Sequence, residues 1–214
     1  MIVGMWMTRD LVTIGPDVAI TDAAALMAKH KIRRLPVTRE AADGTELLGV
    51  LSATDLYRAF PADRNPFAVT SFEIPLLKIT AGEIMSRQVL TTTPDVPVED
   101  AAAVMRERKI GALPVLRERV LIGLITESDI FRAFISMLKA DSSASRITFT
   151  VAAEEDVFQL LVAAASRRKV RVFSLVSSCF EDKVVCVTRI GGPEVDKVIE
   201  DLWRSGHQVL NVLR

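Results

Sequence analysis

Apolar residues along the chain fall into short stretches that have either a helical period or the run length of a strand. Residues 22–30 have the helical spacing, and Asp22 stands in the first turn, where a negative charge suits the helix dipole. The apolar runs 35–37 and 47–51 predict two paired strands, with Pro36 near a strand start or edge. The inward positions of the predicted helix are Ala23, Leu26, Met27 and His30.

The same pattern occurs twice, so an internal repeat is the strongest feature of the sequence. Residues 13–37 match residues 91–115 at an offset of 78 positions, and residues 49–60 match residues 123–134 at an offset of 74. The difference falls in a turn, where Asp43-Gly44 belongs to a longer connection than its counterpart, and length changes are tolerated in surface turns. Each copy is predicted to fold as helix, strand, helix, strand, strand, helix. Two copies that face each other would leave clefts along their seam.

Residues 146–214 have a third pattern, which predicts the order strand, helix, strand, strand, helix, strand. This order is typical of a ferredoxin-like domain. One helix is expected to begin after Glu154-Glu155-Asp156, and a second to run from Pro193 to Gly206. The predicted strands are residues 147–151, 170–176, 184–190 and 208–213, and the middle two form a hairpin.

Polar and proline-containing stretches mark the expected domain boundaries. The first copy is assigned to residues 1–62, a linker to residues 63–79, the second copy to residues 80–139 and the third domain to residues 146–214. A small polar stretch at 140–145 separates the last two. The sequence therefore predicts an α/β (α+β) protein in which a duplicated module precedes a separate small domain.

Charge and hydropathy narrow the classes of partner. Lys plus Arg and Asp plus Glu number 27 each, so no bulk positive field favours nucleic acid or an anionic membrane. No apolar segment reaches the roughly 18 residues that a membrane span needs, and the start of the chain lacks a basic leader. We therefore expect a cytoplasmic protein with no nucleic-acid or membrane partner.

Cys179 and Cys186 are the two cysteines, and they form neither a CxxC motif nor a cysteine framework, which fits a reducing compartment. They would face each other if the predicted hairpin turned at Asp182-Lys183. A redox switch and a pair of reduced strand cysteines are both open, and the inferred compartment favours the second.

One turn in each copy carries the candidate chemistry, Ser52-Ala-Thr-Asp55 in the first and Thr126-Glu-Ser-Asp129 in the second. A strand is predicted to end there and a helix to begin, so backbone N–H groups would form an anion site. The carboxylate would be placed to accept the hydroxyls of a ribose. The same tetrapeptide also has the pattern of a capping box, which satisfies a helix N-terminus without any ligand. The residues alone leave both interpretations open.

The repeat resembles the CBS domain, which occurs as tandem pairs that form one regulatory module. The resemblance covers residues 5–138 and lies in the Leu-Pro-Val strands, the Gly-φ-φ-Ser/Thr-x-x-Asp turns and the openings Met7-Thr-Arg9 and Met85-Ser-Arg87. It implies an adenine-containing regulatory ligand such as AMP, ADP, ATP or S-adenosylmethionine. The ligand-binding positions that it implies are Thr13, Ser52, Asp55, Thr91, Thr126 and Asp129.

The two copies differ before the Leu-Pro-Val strand. Copy one has Arg33-Arg34, where some CBS domains place basic residues on phosphates, and copy two has Gly111-Ala112. A guanidinium suits a phosphate because it can donate two hydrogen bonds at once. The hypothesis is that Arg33 and Arg34 serve one cleft and leave the other weak, empty or suited to a less charged ligand. The alternative is a solvated pair on the surface.

The third domain resembles an ACT domain in element order and length. Ligand-binding ACT domains commonly have glycine in the first strand-to-helix loop, whereas this chain has Ala152-Ala153-Glu154, so a dimerising role is favoured over amino-acid binding. The CBS–ACT order at this length is similar to bacterial acetoin-utilisation proteins of the B type.

These observations favour a dimeric regulatory sensor of adenine nucleotides that acts on an unidentified partner protein. The alternatives are an interaction module whose clefts bind nothing, and an amino-acid sensor that works through the ACT-like domain. We expect no enzyme activity and no catalytic cofactor, because the sequence has no catalytic triad, Walker loop or metal-binding cluster. His30 and His207 are isolated. The first lies on the apolar face of a helix, where we expect it to be packed or partly exposed, and the second lies at a helix end, where a cation is favourable.

Overall fold

The structure is a computed structural model that describes residues 1–42, 44–60, 66–67, 79–138, 144–152, 154–180 and 183–214. The chain divides into two compact units, residues 1–133 and residues 134–214. Several predicted features lie outside the described residues. They are Asp43 of the first hairpin turn, nearly all of the linker 63–79, residues 140–143 of the predicted boundary, Ala153, and Asp182.

The first unit contains both copies of the repeat around one antiparallel sheet. A 3-10 turn opens the chain at Val3–Met5. The strands stand in the order β1-β2-β4-β3, and the two hairpins meet where Glu46 lies opposite Val120. The elements are α1 (Ile20–His30), β1 (Arg34–Ala41), β2 (Gly44–Ser52), α2 (Ala53–Ala59), α3 (Ala81–Ile84), α4 (Val98–Arg108), β3 (Ala112–Arg117), β4 (Val120–Thr126) and α5 (Glu127–Leu138), whose last turns enter the second unit.

The predicted order of elements is confirmed with one correction. The strand expected between the first and second helices of each copy is a single parallel bridge instead, from Ile14 to Val37 in copy one and from Thr92 to Val115 in copy two. Pro16 and Pro94 follow these bridges closely, and proline disfavours extended ladder pairing. His30 is exposed at the end of α1 rather than packed inward.

The opening segments of the two copies are exchanged. Thr8 of copy one bridges to Leu124 in β4, and Ser86 of copy two bridges to Val50 in β2. In the second exchange, the Val50 N–H donates to the Ser86 carbonyl and the Ser86 N–H to the Val50 carbonyl, both at 3.0 Å. Each copy thus completes the sheet edge of the other.

The exchange continues in the hydrophobic cores. Val3 and Met7 are buried among residues of copy two, and Ala81 and Met85 are buried among residues of copy one. Each Å² of apolar surface that is removed from water contributes about 25 cal/mol of stabilisation, so this burial is a large term for each copy. Neither copy has a complete core without the opening segment of its partner copy.

The second unit confirms the predicted strand–helix–strand–strand–helix–strand order. Its antiparallel sheet has the strand order β6-β7-β5-β8, which is the ferredoxin-like arrangement. Ile147, Phe149, Leu161, Ile190 and Leu202 are its largest fully buried side chains. The elements are β5 (Ser145–Val151), α6 (Val157–Arg168), β6 (Arg171–Phe180), β7 (Lys183–Gly191), α7 (Val195–Arg204) and β8 (Val209–Leu213).

Two local expectations in this unit need correction. Cys179 lies opposite Val184 and Cys186 lies opposite Ser177, because β6 and β7 pair up to Phe180 and Lys183 rather than turning one residue later. The two cysteines therefore do not face each other, and both are free. His207 is buried, with Nε2 2.8 Å from Glu155 Oε2 and Nδ1 3.2 Å from the Leu202 carbonyl, so it has a specific partner as well as a place at a helix end.

A pair of glycines permits the exchange of openings, which yields a stability prediction. A Cβ on Gly49 would lie 2.7 Å from the Ser86 carbonyl oxygen and from Met85 Sδ, and a Cβ on Gly123 would lie 3.0 Å from the Thr8 carbonyl oxygen. We expect Gly49→Ala and Gly123→Ala each to lower the free energy of unfolding by about 1–3 kcal/mol, the usual range for overpacking. Urea denaturation followed by circular dichroism measures this loss.

Gly15→Ala is the matched control, because nothing lies within 4 Å of the Cβ position at Gly15. Equal unfolding midpoints for all three variants would contradict the close approach at the two strand glycines.

The cysteines allow a second prediction. Cys179 is exposed, whereas Cys186 is fully buried, and this burial, together with the nearby Glu155 carboxylate, raises the pKa of the Cys186 thiol. The thiolate is the reactive form. At pH 8 iodoacetamide should therefore label Cys179 and spare Cys186 in the native protein, and label both in urea. Mass spectrometry of the two peptides distinguishes the sites, and equal native labelling rates would refute the burial of Cys186.

Candidate functional site

The predicted turns form reciprocal hydrogen bonds at the starts of α2 and α5. In copy one, Ser52 donates its N–H and its hydroxyl to Asp55 Oδ2 at 2.9 and 2.6 Å, and the Asp55 N–H donates to Ser52 Oγ at 3.2 Å. In copy two, the corresponding distances between Thr126 and Asp129 are 2.9, 2.7 and 3.3 Å. The capping interpretation is therefore realised in both turns. It uses one oxygen of each carboxylate and leaves the other, Oδ1, for further contacts.

The second carboxylate oxygen differs between the copies. Asp129 Oδ1 accepts a hydrogen bond from Arg132 Nη2, and the carboxylate is buried. Within the part of the chain that the structure describes, no group donates to Asp55 Oδ1, although Arg58 occupies the position equivalent to Arg132. The carboxylate of copy one therefore keeps a free acceptor.

A cavity of about 640 Å³, cleft A, runs along the seam between the two copies. Copy one contributes residues from 8–12 and 31–36, including Arg33 and Arg34, and copy two contributes Gly111, Leu124 and residues 126–129. A volume of this size lies within the range of small-molecule sites. Thr126 and Asp129 thus meet the arginine pair of the other copy.

A second cavity of about 600 Å³, cleft B, has the reciprocal composition. Copy two contributes residues from 86–90 and 108–114 together with Leu124, and copy one contributes Arg34, Val50 and residues from 52–58, including Asp55. Each seam cleft therefore joins the first half of one copy to the strand-to-helix turn of the other. The exchange of openings explains this arrangement, because Thr8 and Ser86 lie in the clefts of their exchanged strands.

Arg34, Gly111 and Leu124 line both clefts and separate them. A Cβ on Gly111 would lie 2.3 Å from Arg34 Nη2 and 2.8 Å from Glu127 Oε2. The absence of a side chain at Gly111 therefore makes room for the Arg34 guanidinium beside the Glu127 carboxylate. Any side chain at position 111 would displace the Arg34 guanidinium or the Glu127 carboxylate.

A third cavity of about 640 Å³, cleft C, lies within the copy-one part of the unit. Its lining includes Arg33, Arg34, Ser52 and Tyr57, and Tyr57 makes an edge-on ring contact with Phe67 at a centroid distance of 5.3 Å. Ser52 therefore stands between cleft B and cleft C.

The structure brings six of the eight predicted site residues to the clefts. Thr126 and Asp129 line cleft A, Asp55 lines cleft B, and Ser52, Arg33 and Arg34 each line more than one cavity. Thr13 and Thr91 line none of the three cavities; the neighbouring residues Val12 and Leu90 do. Arg33 lines cleft A and not cleft B, whereas Arg34 lines both, so the two arginines are not confined to one seam cleft.

Several lining residues were not singled out from the sequence. They are Asp10, Lys31, Glu127, Arg58, Arg108 and Lys109. Each is a charged residue near a repeat motif, and alignment of the two copies was the signal that could have drawn attention to them. The described residues contain no group of three or more His, Cys, Asp or Glu side chains that could hold a metal ion. In those same ranges, no helix is long and apolar enough to cross a bilayer.

The two turns yield a stability prediction in the absence of ligand. Asp55→Ala removes the acid of a capping box whose N-cap is Ser52, and should cost about 1 kcal/mol. Asp129→Ala also removes a buried acceptor of a charged donor, Arg132, and should cost about 1.5–3 kcal/mol. Urea denaturation of the two variants measures the difference.

Asp17→Ala is a suitable control, because Asp17 is exposed and makes no side-chain hydrogen bond or ion pair among the described residues. If Asp129→Ala were no more destabilising than Asp17→Ala, the hydrogen bonds at the second turn would not contribute to the free energy of unfolding.

Comparison with known proteins agrees with the duplicated fold. The family model of the CBS domain matches residues 3–62 and 81–136. The CBS domain pair of protein MJ0100, solved in complex with 5′-methylthioadenosine and S-adenosyl-L-methionine, is similar to this chain with a TM-score of 0.52 and 28% sequence identity, over 64% of this chain and 97% of that chain.

Two further solved structures are similar over the same region. CBSX2 in complex with AMP has a TM-score of 0.52 and 26% identity, over 64% of this chain and 98% of that chain. A Vibrio cholerae protein assigned to acetoin utilization, AcuB, has a TM-score of 0.52 and 30% identity, over 64% of this chain and 93% of that chain. The chain spans less than half the length of the first curated relatives that it matches.

Proposed function

The chain belongs to the CBS-domain family, and from that premise we propose that it is a regulatory sensor that binds adenine-containing ligands in clefts A and B. The observation that carries the proposal is the position of Asp55 and Asp129, each of which lines a seam cleft of about 600 Å³ or more. Two proteins of similar structure hold AMP, or 5′-methylthioadenosine and S-adenosyl-L-methionine.

Asp55 and Asp129 are the proposed ribose acceptors, because a carboxylate has room for two more hydrogen bonds on the oxygen that the cap does not use. Among the described residues nothing donates to Asp55 Oδ1, whereas Asp129 Oδ1 must share its lone pairs with Arg132. Ser52 and Thr126 stand next to the carboxylates. Arg34, which lines both clefts, is the proposed phosphate donor, and Arg33 is a proposed ligand contact of cleft A. Thr13 and Thr91 have no assigned role.

Regulation requires a ligand that binds two states with different affinity. The proposed ligands lie on the seam, where Arg34 and Gly111 of opposite copies meet, so binding bears directly on how the copies pack. We propose that the second unit is an ACT-like domain that mediates homodimer formation, in line with its ferredoxin-like strand order. A role in acetoin or acetate metabolism is the proposed setting, supported by the similarity to AcuB.

A binding-free interaction module is the second candidate. It is favoured by the capping bonds, since Ser52 and Thr126 already satisfy their turns without a ligand. On this hypothesis the acids serve folding alone. The sensor should bind a nucleotide in a titration, whereas the interaction module should bind none.

The test is isothermal titration of AMP, ADP, ATP, adenosine and S-adenosylmethionine into the full chain. We expect at least one of these ligands to bind, and Asp55→Ala or Asp129→Ala to weaken that binding by more than tenfold, since a charge-assisted hydrogen bond contributes about 1.5–3 kcal/mol. Circular dichroism verifies that both variants remain folded at the titration temperature.

Asp17→Ala and Asp95→Ala are matched controls, because both residues are exposed acids outside the clefts, one in each copy. Binding that is the same in the wild type and in both cleft variants would rule out the proposed ribose contact. A complete absence of binding across the ligand panel would favour the interaction module.

A further inference from the structure

The two copies provide an internal comparison of the clefts, because each cleft is built from equivalent positions. Among the described lining residues, cleft A has three basic side chains, Lys31, Arg33 and Arg34, and three acidic ones, Asp10, Glu127 and Asp129. Cleft B has four basic side chains and one acidic one: Arg34, Arg58, Arg108, Lys109 and Asp55. The clefts therefore differ in charge although they share a fold.

Two residue differences between the copies add negative charge to cleft A. Glu127 occupies the position of Ala53 in the other copy, and Asp10 occupies the position of Gln88. Glu127 Oε2 and Arg34 Nη2 both lie within 3 Å of the Cβ position of Gly111. The Glu127 carboxylate therefore stands beside the guanidinium that both clefts share, and it offsets that charge on the side of cleft A.

One substitution between the copies and one difference in side-chain pairing add positive charge to cleft B. Arg108 occupies the position of His30, which does not line cleft A. Arg58 lines cleft B, whereas its counterpart Arg132 is bound to Asp129 and does not line cleft A. Arg33 is a difference of the opposite kind: it adds positive charge to cleft A, and Gly111 stands at its position in copy two.

From these differences in charge we propose that the two clefts sort adenine ligands by charge. Cleft B binds a nucleotide that carries phosphates, and cleft A binds an adenine nucleoside whose 5′ substituent is neutral or cationic. The inference rests on the proposed function and adds to it which ligand class each cleft takes. Phosphates require several positive donors, and cleft B has Arg58 and Arg108 besides the shared Arg34. A sulfonium or an uncharged thioether has no such requirement and is compatible with the acids of cleft A.

Titration of the full chain with ATP and with 5′-methylthioadenosine tests this assignment. Asp55→Ala disables cleft B, and Asp129→Ala disables cleft A. We expect the tighter ATP site to disappear in Asp55→Ala and to persist in Asp129→Ala, and the reverse for 5′-methylthioadenosine. Loss of ATP binding in Asp129→Ala with retention in Asp55→Ala would overturn the sorting while leaving nucleotide binding intact.

Variants that change the charge of one cleft test whether that charge determines which ligand the cleft binds. Arg58→Gln should weaken ATP at cleft B by about tenfold, the effect of one charge-assisted hydrogen bond, and leave 5′-methylthioadenosine unchanged. Glu127→Ala, which installs the residue found in copy one, should strengthen ATP at cleft A by about three- to fivefold through the loss of a like charge. Asp55→Ala in the background of Glu127→Ala isolates cleft A for this measurement.

Arg106→Gln and Glu107→Ala are the matched controls, because both residues are exposed on α4 and line neither cleft. Equal effects of Arg58→Gln and Arg106→Gln on ATP would overturn the inference, as would an unchanged ATP affinity in Glu127→Ala. If neither probe binds the wild-type chain or any variant, the proposed function fails and the sorting fails with it, an outcome that differs from binding in the wrong cleft.

Discussion

The first unit depends on the exchange of the opening segments between its two copies. Backbone bonds tie Ser86 to Val50 and Thr8 to Leu124, and the side chains that precede them, Met85 and Met7, complete the cores of the opposite copies. A copy folded alone would lack the opening segment that hydrogen-bonds to its second hairpin strand. Part of its hydrophobic core would then be exposed to water. Because hydrophobic burial is the main favourable term in folding, the pair and not the single repeat is the unit of stability.

The exchange also decides the composition of the clefts. Each opening enters the seam beside the strand-to-helix turn of the other copy, so the first half of one copy meets the acid of the second. The repeated segment thereby yields two clefts, each of which needs both copies. A change at the seam alters both clefts together, and Arg34, which lines both, lies at the centre of that coupling.

The acids at the two turns combine folding with a capacity for binding. One oxygen of Asp55 caps α2, and the other is without a donor among the described residues. The capping bonds hold the carboxylate in place, which lowers the entropy cost of presenting it to a ligand. The two interpretations that the tetrapeptide left open are therefore compatible, because a carboxylate has more lone pairs than a cap uses. At Asp129, Arg132 donates to the second oxygen, so the equivalent acids of the two copies have different hydrogen-bond partners.

The sequence by itself determined the repeat, the strand-to-helix turns, the caps and the ferredoxin-like order of the second unit, because these features depend on local periodicity and on residues a few positions apart. Only the tertiary structure decided that Asp129 lines the same cleft as Arg33 of the other copy, that Gly111 makes room for Arg34, and that Cys186 lies opposite Ser177 rather than Cys179. Those facts depend on the proximity of residues 77 to 96 positions apart in the chain, or on a one-residue choice of hairpin register. Neither is encoded in a local pattern, since one pattern fits several pairings and packing energy selects among them.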